Sequence, residues 1–246
     1  MDESEGRPAF YALAPGGWRD YWSLLHPPYT VWHLSYVTIG ACLAPVVQVR
    51  WLLETLGAFL LAMGVAAHSL DELNGRPLRT RVPDAVLRAL AGLGLAAAVG
   101  LGIDGTLEVS PWIWVFIAVG VFLVTAYNLE LLGGRFHSDL WFALAWGAFP
   151  VLTAYAAQTG RVGLGAVLAA GGCAAISAAQ RTLSTPVRRL RRHVRRVTGE
   201  LTLNDGTVEP IDADSFRTAP EGALRWLSLA MPLLALALAW VRLVRG

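Results

Sequence analysis

The sequence predicts an all-α integral membrane protein: about seven transmembrane helices in a bundle, with a short cytosolic arm that contains a β-hairpin. Three observations carry that expectation. Hydrophobic residues make up 55% of the chain and charged residues only 15%, against about 25% charged in a soluble domain. Mean hydropathy is +0.49. Seven apolar segments each approach the ~20 residues that span a hydrocarbon core, and arginines crowd into alternate loops between them.

Residues 1–28 read as an N-terminal arm. Trp18, Tyr21, Trp22, Leu24 and Leu25 lie among Arg19 and Asp20, the pattern of a helix lying on the bilayer surface. The opening residues are polar and rich in Gly and Pro, so no cleavable signal peptide is expected. A six-helix membrane core follows over 29–186, with spans near 30–48, 52–69, 84–104, 110–128, 139–158 and 162–183. A basic cytosolic insertion occupies 187–222, and a last span lies near 223–243 within 223–246.

Loop charge sets the expected orientation. The second loop holds Arg76, Arg79 and Arg81, the fourth Arg135, and the sixth Arg188, Arg189, Arg191, Arg192, Arg195, Arg196 and Arg217. Arg-rich loops stay inside, which puts the N-terminus and these loops in the cytosol of a bacterial or archaeal plasma membrane. The C-terminus, with Arg242 and Arg245, then lies outside. All 20 basic residues are Arg, which reflects genome composition. In the insertion, the run R-R-L-R-R-H-V-R-R either continues the sixth helix or starts a short one. Glu200–Leu203 and Thr207–Ile211 flank Asn204-Asp205-Gly206 and read as a β-hairpin. Asp214 to Pro220 reads as a connector. A single basic run beside a bilayer meets anionic lipid heads more simply than nucleic acid, so no nucleic-acid partner is expected.

The chain has no Gly-rich phosphate loop, zinc ribbon, HExxH or nucleophile elbow. Cys42 and Cys173 sit in apolar runs without metal-ligand spacing and read as packing residues. The informative stretch is A-H-S-L-D-E-L-N-G-R-P-L-R-T-R-V-P, from Ala67 to Pro83. His68, Asp71 and Glu72 sit at i, i+3 and i+4, one helical face. Such groups at the mouth of a span mark function, although a solvated loop with a basic flank is the plainer alternative. The fourth loop, Y-N-L-E-L-L-G-G-R-F-H-S-D, repeats the chemistry with Asn128, Glu130, His137 and Asp139. The sixth begins S-A-A-Q-R-T-L-S-T-P, with Gln180, Arg181 and Ser184.

His68, Asp71, Glu72, Glu130, His137 and Asp139 are therefore candidate ligands for a divalent metal. Carboxylates suit Mg²⁺ or Mn²⁺, and added imidazoles shift preference toward Mn, Fe or Zn. The competing arrangement pairs each acid with Arg76, Arg79 or Arg135. His33, inside the first span, either positions a substrate or bonds another helix. Gly147, Pro150, Gly171 and Gly172 are expected to permit close helix approach or kinks.

The order of these features resembles the UbiA-type intramembrane prenyltransferase superfamily. H-P-P-Y-T-V-W-H-L-S-Y-V-T-I-G-A looks like that family's opening helix. W-G-A-F-P-V-L-T-A-Y-A-A-Q-T-G, residues 146–160, resembles the fifth helix of its menaquinone-type members. A-H-S-L-D-E-L-N-G-R-P-L stands where the family's first Asp-rich motif, N-D-x-x-D-x-x-x-D, precedes R-P-L. Of that motif only Asp71 survives clearly. The second Asp-rich motif is missing from A-A-Q-R-T-L-S-T-P, and seven helices stand against the family's usual nine.

The resemblance implies an isoprenoid or quinone-like lipid substrate, Mg²⁺ held by Asp71 and Glu72 with His68 beside them as the catalytic set, and prenyl transfer or terpene cyclisation. Substrate binding falls to Arg76, Arg79, Arg81, Arg181, His33 and Asn128, with Arg188 a further phosphate ligand. Two rivals stand beside it: a His/carboxylate metal-centre enzyme on the same scaffold, and a non-catalytic lipid- or partner-binding membrane protein.

Overall fold

The computed structural model describes residues 7–244, so Arg245 lies outside the described residues. A short helix α1 (Trp18–Leu24) precedes α2 (Pro27–Cys42). Then come α3 (Val49–Leu73), α4 (Asp84–Glu108), α5 (Ile113–Asn128), α6 (Asp139–Thr159) and α7 (Leu164–His193). A two-stranded antiparallel hairpin, β1 (Gly199–Thr202) and β2 (Val208–Ile211), leads into α8 (Ala213–Val244).

Four of these helices, α3, α4, α6 and α8, are long and apolar enough to cross a membrane. The other three that sequence reads as spans fall short for different reasons. Helix α5 is apolar but shorter. Helix α2 has 16 residues, about 24 Å of rise. Helix α7 is long, but its apolar stretch runs only from Leu164 to Ala179, before Gln180 and Arg181.

Each long helix packs on the next, and α8 returns to α2, which also lies against α6. The α2–α6 contact is close because Gly40 has no side chain: a Cβ there would stand 2.3 Å from Val151 O. Gly147 does the same for α6 on α7, where a Cβ would meet Cys173 O at 2.7 Å. Gly171 and Gly172 face open space instead, so they set no helix approach. Two π-helical stretches interrupt the long helices, Leu60–Ala67 in α3 and Leu144–Ala148 in α6, the second just before Pro150. Such windings often occur at functional sites, and here both border the cavity described below.

At one end of the bundle Arg50 joins Glu54, Asp104 and Glu108, and Gln158 closes on the Gln48 backbone through both its amide atoms. Arg242 donates to the carbonyls of Ala44 and Pro45, just past the C-terminus of α2, where a cation suits the exposed carbonyls. At the other end α7 continues past Pro186 into the basic run and ends at His193, before Arg195 and Arg196. The hairpin turn follows its N-D-G signature: Gly206 takes φ 86° and Asp205 Oδ1 accepts from Thr207 N at 2.9 Å.

Residues 214–220 form no separate connector. Asp212 Oδ1 accepts from Asp214 N and Ser215 N at 2.9 and 3.0 Å and starts α8 at Ala213, an N-cap that overrides the connector reading. Those donated N–H groups also hold the Asp212 carboxyl below the usual carboxylate range.

The N-terminal arm does two jobs. In α1 Trp18 and Trp22 stay exposed while Leu24 buries against Val82 and Leu87. Before it, residues 8–11 fold back across the basic end of the bundle. Phe10 and Tyr11 stand edge-on to Tyr29, and Tyr11 lies against His26.

Candidate functional site

A cavity of about 430 Å³ opens at the basic end, walled by residues of α2, α3, α5, α6 and α7 and roofed by Pro8 to Tyr11. His33 comes from α2, and His68 and Asp71 from α3. Asn128 ends α5, Glu130 and His137 come from the following loop, and Arg181, Arg188 and Arg192 come from α7. The structure thus brings one residue pair from each of the two acid/His segments, His68 with Asp71 and Glu130 with His137, onto one space.

The other expected ligands face elsewhere. Glu72 is completely buried and serves the α3–α4 loop: its carboxylate accepts from Leu78 N at 2.9 Å, Thr80 N at 2.8 Å and Thr80 Oγ1 at 2.9 Å. Asp139 accepts from Arg181 Nε at 2.8 Å. Among the described residues no three His, Cys, Asp or Glu side chains converge on a metal-sized point.

The second-loop arginines are also placed differently from the expectation. Arg76 donates to the carbonyls of Thr80 and Val82 and pairs with Asp84. The loop doubles back through positive φ at Gly75, Arg76 and Arg79, and the Arg76 side chain fastens it. None of Arg76, Arg79 and Arg81 lines the cavity.

Its cations come from α7 instead. Arg181 is held by Asp139 and lies 5.4 Å over the Phe142 ring. Arg192 reaches the Pro8 carbonyl at 3.4 Å. Arg188 is half-buried; its one recorded hydrogen bond is a 3.4 Å reach to Thr185 Oγ1, and no described carboxylate pairs with it. Burial, then the like charges of Arg181 and Arg192, push its pKa below the ordinary guanidinium value. Arginine stays charged regardless; Asp71, across the same cavity, feels the charges of Arg188 and Arg192 but forms no ion pair with Arg188.

The histidines are oriented by backbone. His137 Nδ1 lies 3.1 Å from Tyr127 O, and its ring stacks on Tyr127 at 4.4 Å. His26 takes a left-handed φ of 47° just before Pro27, and its ring packs 4.1 Å from His68. Burial, then His68, holds His26 well below the usual imidazole pKa, so it is neutral at pH 7. Asn128 donates to Val124 O at 2.8 Å.

Beside this polar space runs an apolar cleft of about 110 Å³ between α3, α4, α5 and α6. Met63 and Trp146 belong to both walls. The two spaces therefore adjoin across Met63 and Trp146, with cations on one side and hydrocarbon on the other. The charge of α7 was visible in sequence; the roof of residues 8–11, His26 and Tyr127 were not assigned to the site. No family model, curated protein or solved structure matches the chain.

Proposed function

We propose that the protein is a divergent UbiA-like membrane enzyme that takes an anionic isoprenoid lipid, its phosphate head among the arginines of α7 and its tail in the cleft beyond Met63 and Trp146. The observation that carries the reading is Arg188, a half-buried guanidinium without a carboxylate partner among the described residues, set in a cavity that shares two walls with an apolar cleft. Guanidinium groups grip phosphate in bidentate fashion. In allylic transfer or cyclisation the carbon–oxygen bond to the diphosphate breaks, and Arg181, Arg188 and Arg192 stabilise the charge that develops on the leaving group. Trp146 and Phe149 wall the cleft where the allylic cation forms.

The test is titration of purified protein with geranylgeranyl diphosphate and geranylgeraniol, with mass spectrometry of co-purified lipid. Tight binding of the diphosphate over the alcohol supports the reading. Equal affinity for both sinks it, and tight binding without turnover makes the protein a lipid carrier. A second reading, a His/carboxylate metal centre, is favoured by His68, Asp71, Glu130 and His137 sharing the cavity. Mn, Fe or Zn retained through desalting would support it.

In this reading seven helices cross the membrane, the shorter α2 and α5 among them, and the cavity, the hairpin and the N-terminus face the cytosol, because the arginine-rich segments lie at that end. A cysteine replacing Asn204 is expected to resist an impermeant thiol reagent in intact cells and to react after lysis. Labelling in intact cells reverses the orientation.

A further inference from the structure

A second cavity, of about 320 Å³, lies behind the roof. Ala9 and Phe10 wall both it and the first cavity. Its charged lining comes mainly from the end of α7 and the start of α8: Arg191, Asp214, Arg217, Glu221 and Arg225. No arginine lines both cavities. Asp214, Arg217, Glu221 and Arg225 follow at steps of three and four residues, so they share one face of α8.

Both carboxylates are already engaged. Glu221 holds Arg191 through both its oxygens, with Nη2 to Oε2 at 2.9 Å, and the Arg191 and Glu221 side chains are only 4% and 8% exposed. This buried pair makes a fixed wall. Asp214 pairs with Arg217. Arg225 has no carboxylate partner among the described residues; its guanidinium lies 5.3 Å over the Phe10 ring. A ring face holds a cation in place without neutralising it. The unmatched charge of the cavity therefore stands at Arg225, two turns beyond Arg217.

The surface past Arg225 points to the other half of the ligand. The same face of α8 continues with Leu229, Leu233 and Leu236, each more than half exposed, and Trp226 beside Arg225 is exposed as well. Helix α8 is long and apolar enough to cross a membrane, so this stripe suits hydrocarbon. Tryptophan is enriched where a span meets the headgroup layer.

We infer that the second cavity binds the phosphodiester headgroup of an anionic membrane phospholipid, whose acyl chains run along Leu229, Leu233 and Leu236. The recognised chemistry is a phosphate anion, whose oxygens match the guanidinium fork. Basic pockets between membrane helices collect such headgroups. Lipid is favoured over free phosphate because the apolar stripe begins one turn beyond a cavity-lining arginine. A zwitterionic headgroup fits less well, since its ammonium would enter a space whose carboxylates already hold arginines. The inference goes beyond the enzyme reading and uses different arginines, so it stands whatever the first cavity binds.

The experiment adds dioleoyl phosphatidylglycerol or dioleoyl phosphatidylcholine to full-length protein in detergent and follows bound lipid by native mass spectrometry. Phosphatidylglycerol is expected to bind roughly tenfold more tightly, the scale of one or two such contacts. Arg225→Gln should remove most of that preference, and Arg217→Gln part of it. Arg225 is exposed, so the melting temperature of its variant should match the parent. Arg196→Gln removes an equal charge from an exposed position outside both cavities and should keep the preference, as should Arg188→Ala. Equal binding of the two lipids overturns the inference. So does equal loss in Arg225→Gln and Arg196→Gln, which would make the attraction a matter of overall charge. Loss in Arg188→Ala instead would put the phospholipid in the first cavity. Displacement of the lipid by inorganic phosphate would overturn the lipid assignment and leave a site for soluble anions.

Discussion

Replacing Arg188 with alanine is expected to weaken binding of a prenyl diphosphate by about 10- to 100-fold, because a charge-assisted hydrogen bond contributes roughly 1.5–3 kcal/mol. Thermal stability should not fall with it. In the folded chain Arg188 is desolvated, faces the like charges of Arg181 and Arg192, and pairs with no described carboxylate. A base whose pKa is lowered on folding, yet which stays charged, opposes folding throughout the accessible pH range. Removing it therefore relieves a cost. Loss of binding with unchanged or raised melting temperature is the signature of a group kept for its ligand. Arg188→Lys should recover only part of the affinity, since an ammonium lacks the planar fork. Arg135→Ala, a cation that does not line the cavity, serves as the control. Binding by Arg188→Ala at the wild-type level would remove the central support for the lipid-phosphate reading.

What the sequence made legible divides along physical lines. Hydropathy located the long helices, since each buries or exposes apolar surface along its whole length. The N-D-G turn located the hairpin, since Gly206 supplies the left-handed φ that the turn needs. The basic run was legible as charge after the sixth span, but neither its continuation of α7 nor its direction was, because both depend on where α7 packs. The roof of residues 8–11 was illegible for a similar reason. It is held by rings that are distant in sequence, Tyr11 against His26 and Tyr29, and by Arg192 on the Pro8 carbonyl. The π-helical windings beside the site share the composition of ordinary helix, so no pattern announces them. The Asp71–Glu72 pair marks the limit of spacing arguments. Consecutive helical residues diverge by about 100°, so a shared face for His68, Asp71 and Glu72 is a wide one, and the cavity takes only part of it.

That divergence makes Glu72 the second large effect. Glu72→Ala is expected to destabilise the protein by about 3 kcal/mol or more, since buried donors left unpaired cost roughly 1–3 kcal/mol each. Leu78 N, Thr80 N and Thr80 Oγ1 all lose their acceptor together. The damage should appear in the loop between α3 and α4, where Arg79 and Arg81 offer trypsin two cleavage points, Arg76 being shielded by the following Pro77. The variant should therefore be nicked there much faster than the parent. Glu72→Gln should fall between the two, because its amide nitrogen meets a backbone N–H donor instead of accepting from it. Asp71→Ala is the contrast. Asp71 lines the cavity one residue earlier, so its loss should leave the loop resistant to trypsin while impairing ligand binding or turnover. Equal behaviour of the two variants, with the loop intact and function lost, would return Glu72 to the site. Loop cleavage in both would make the whole acidic turn a structural fastening and leave the arginines of α7 as the only functional charges at this mouth.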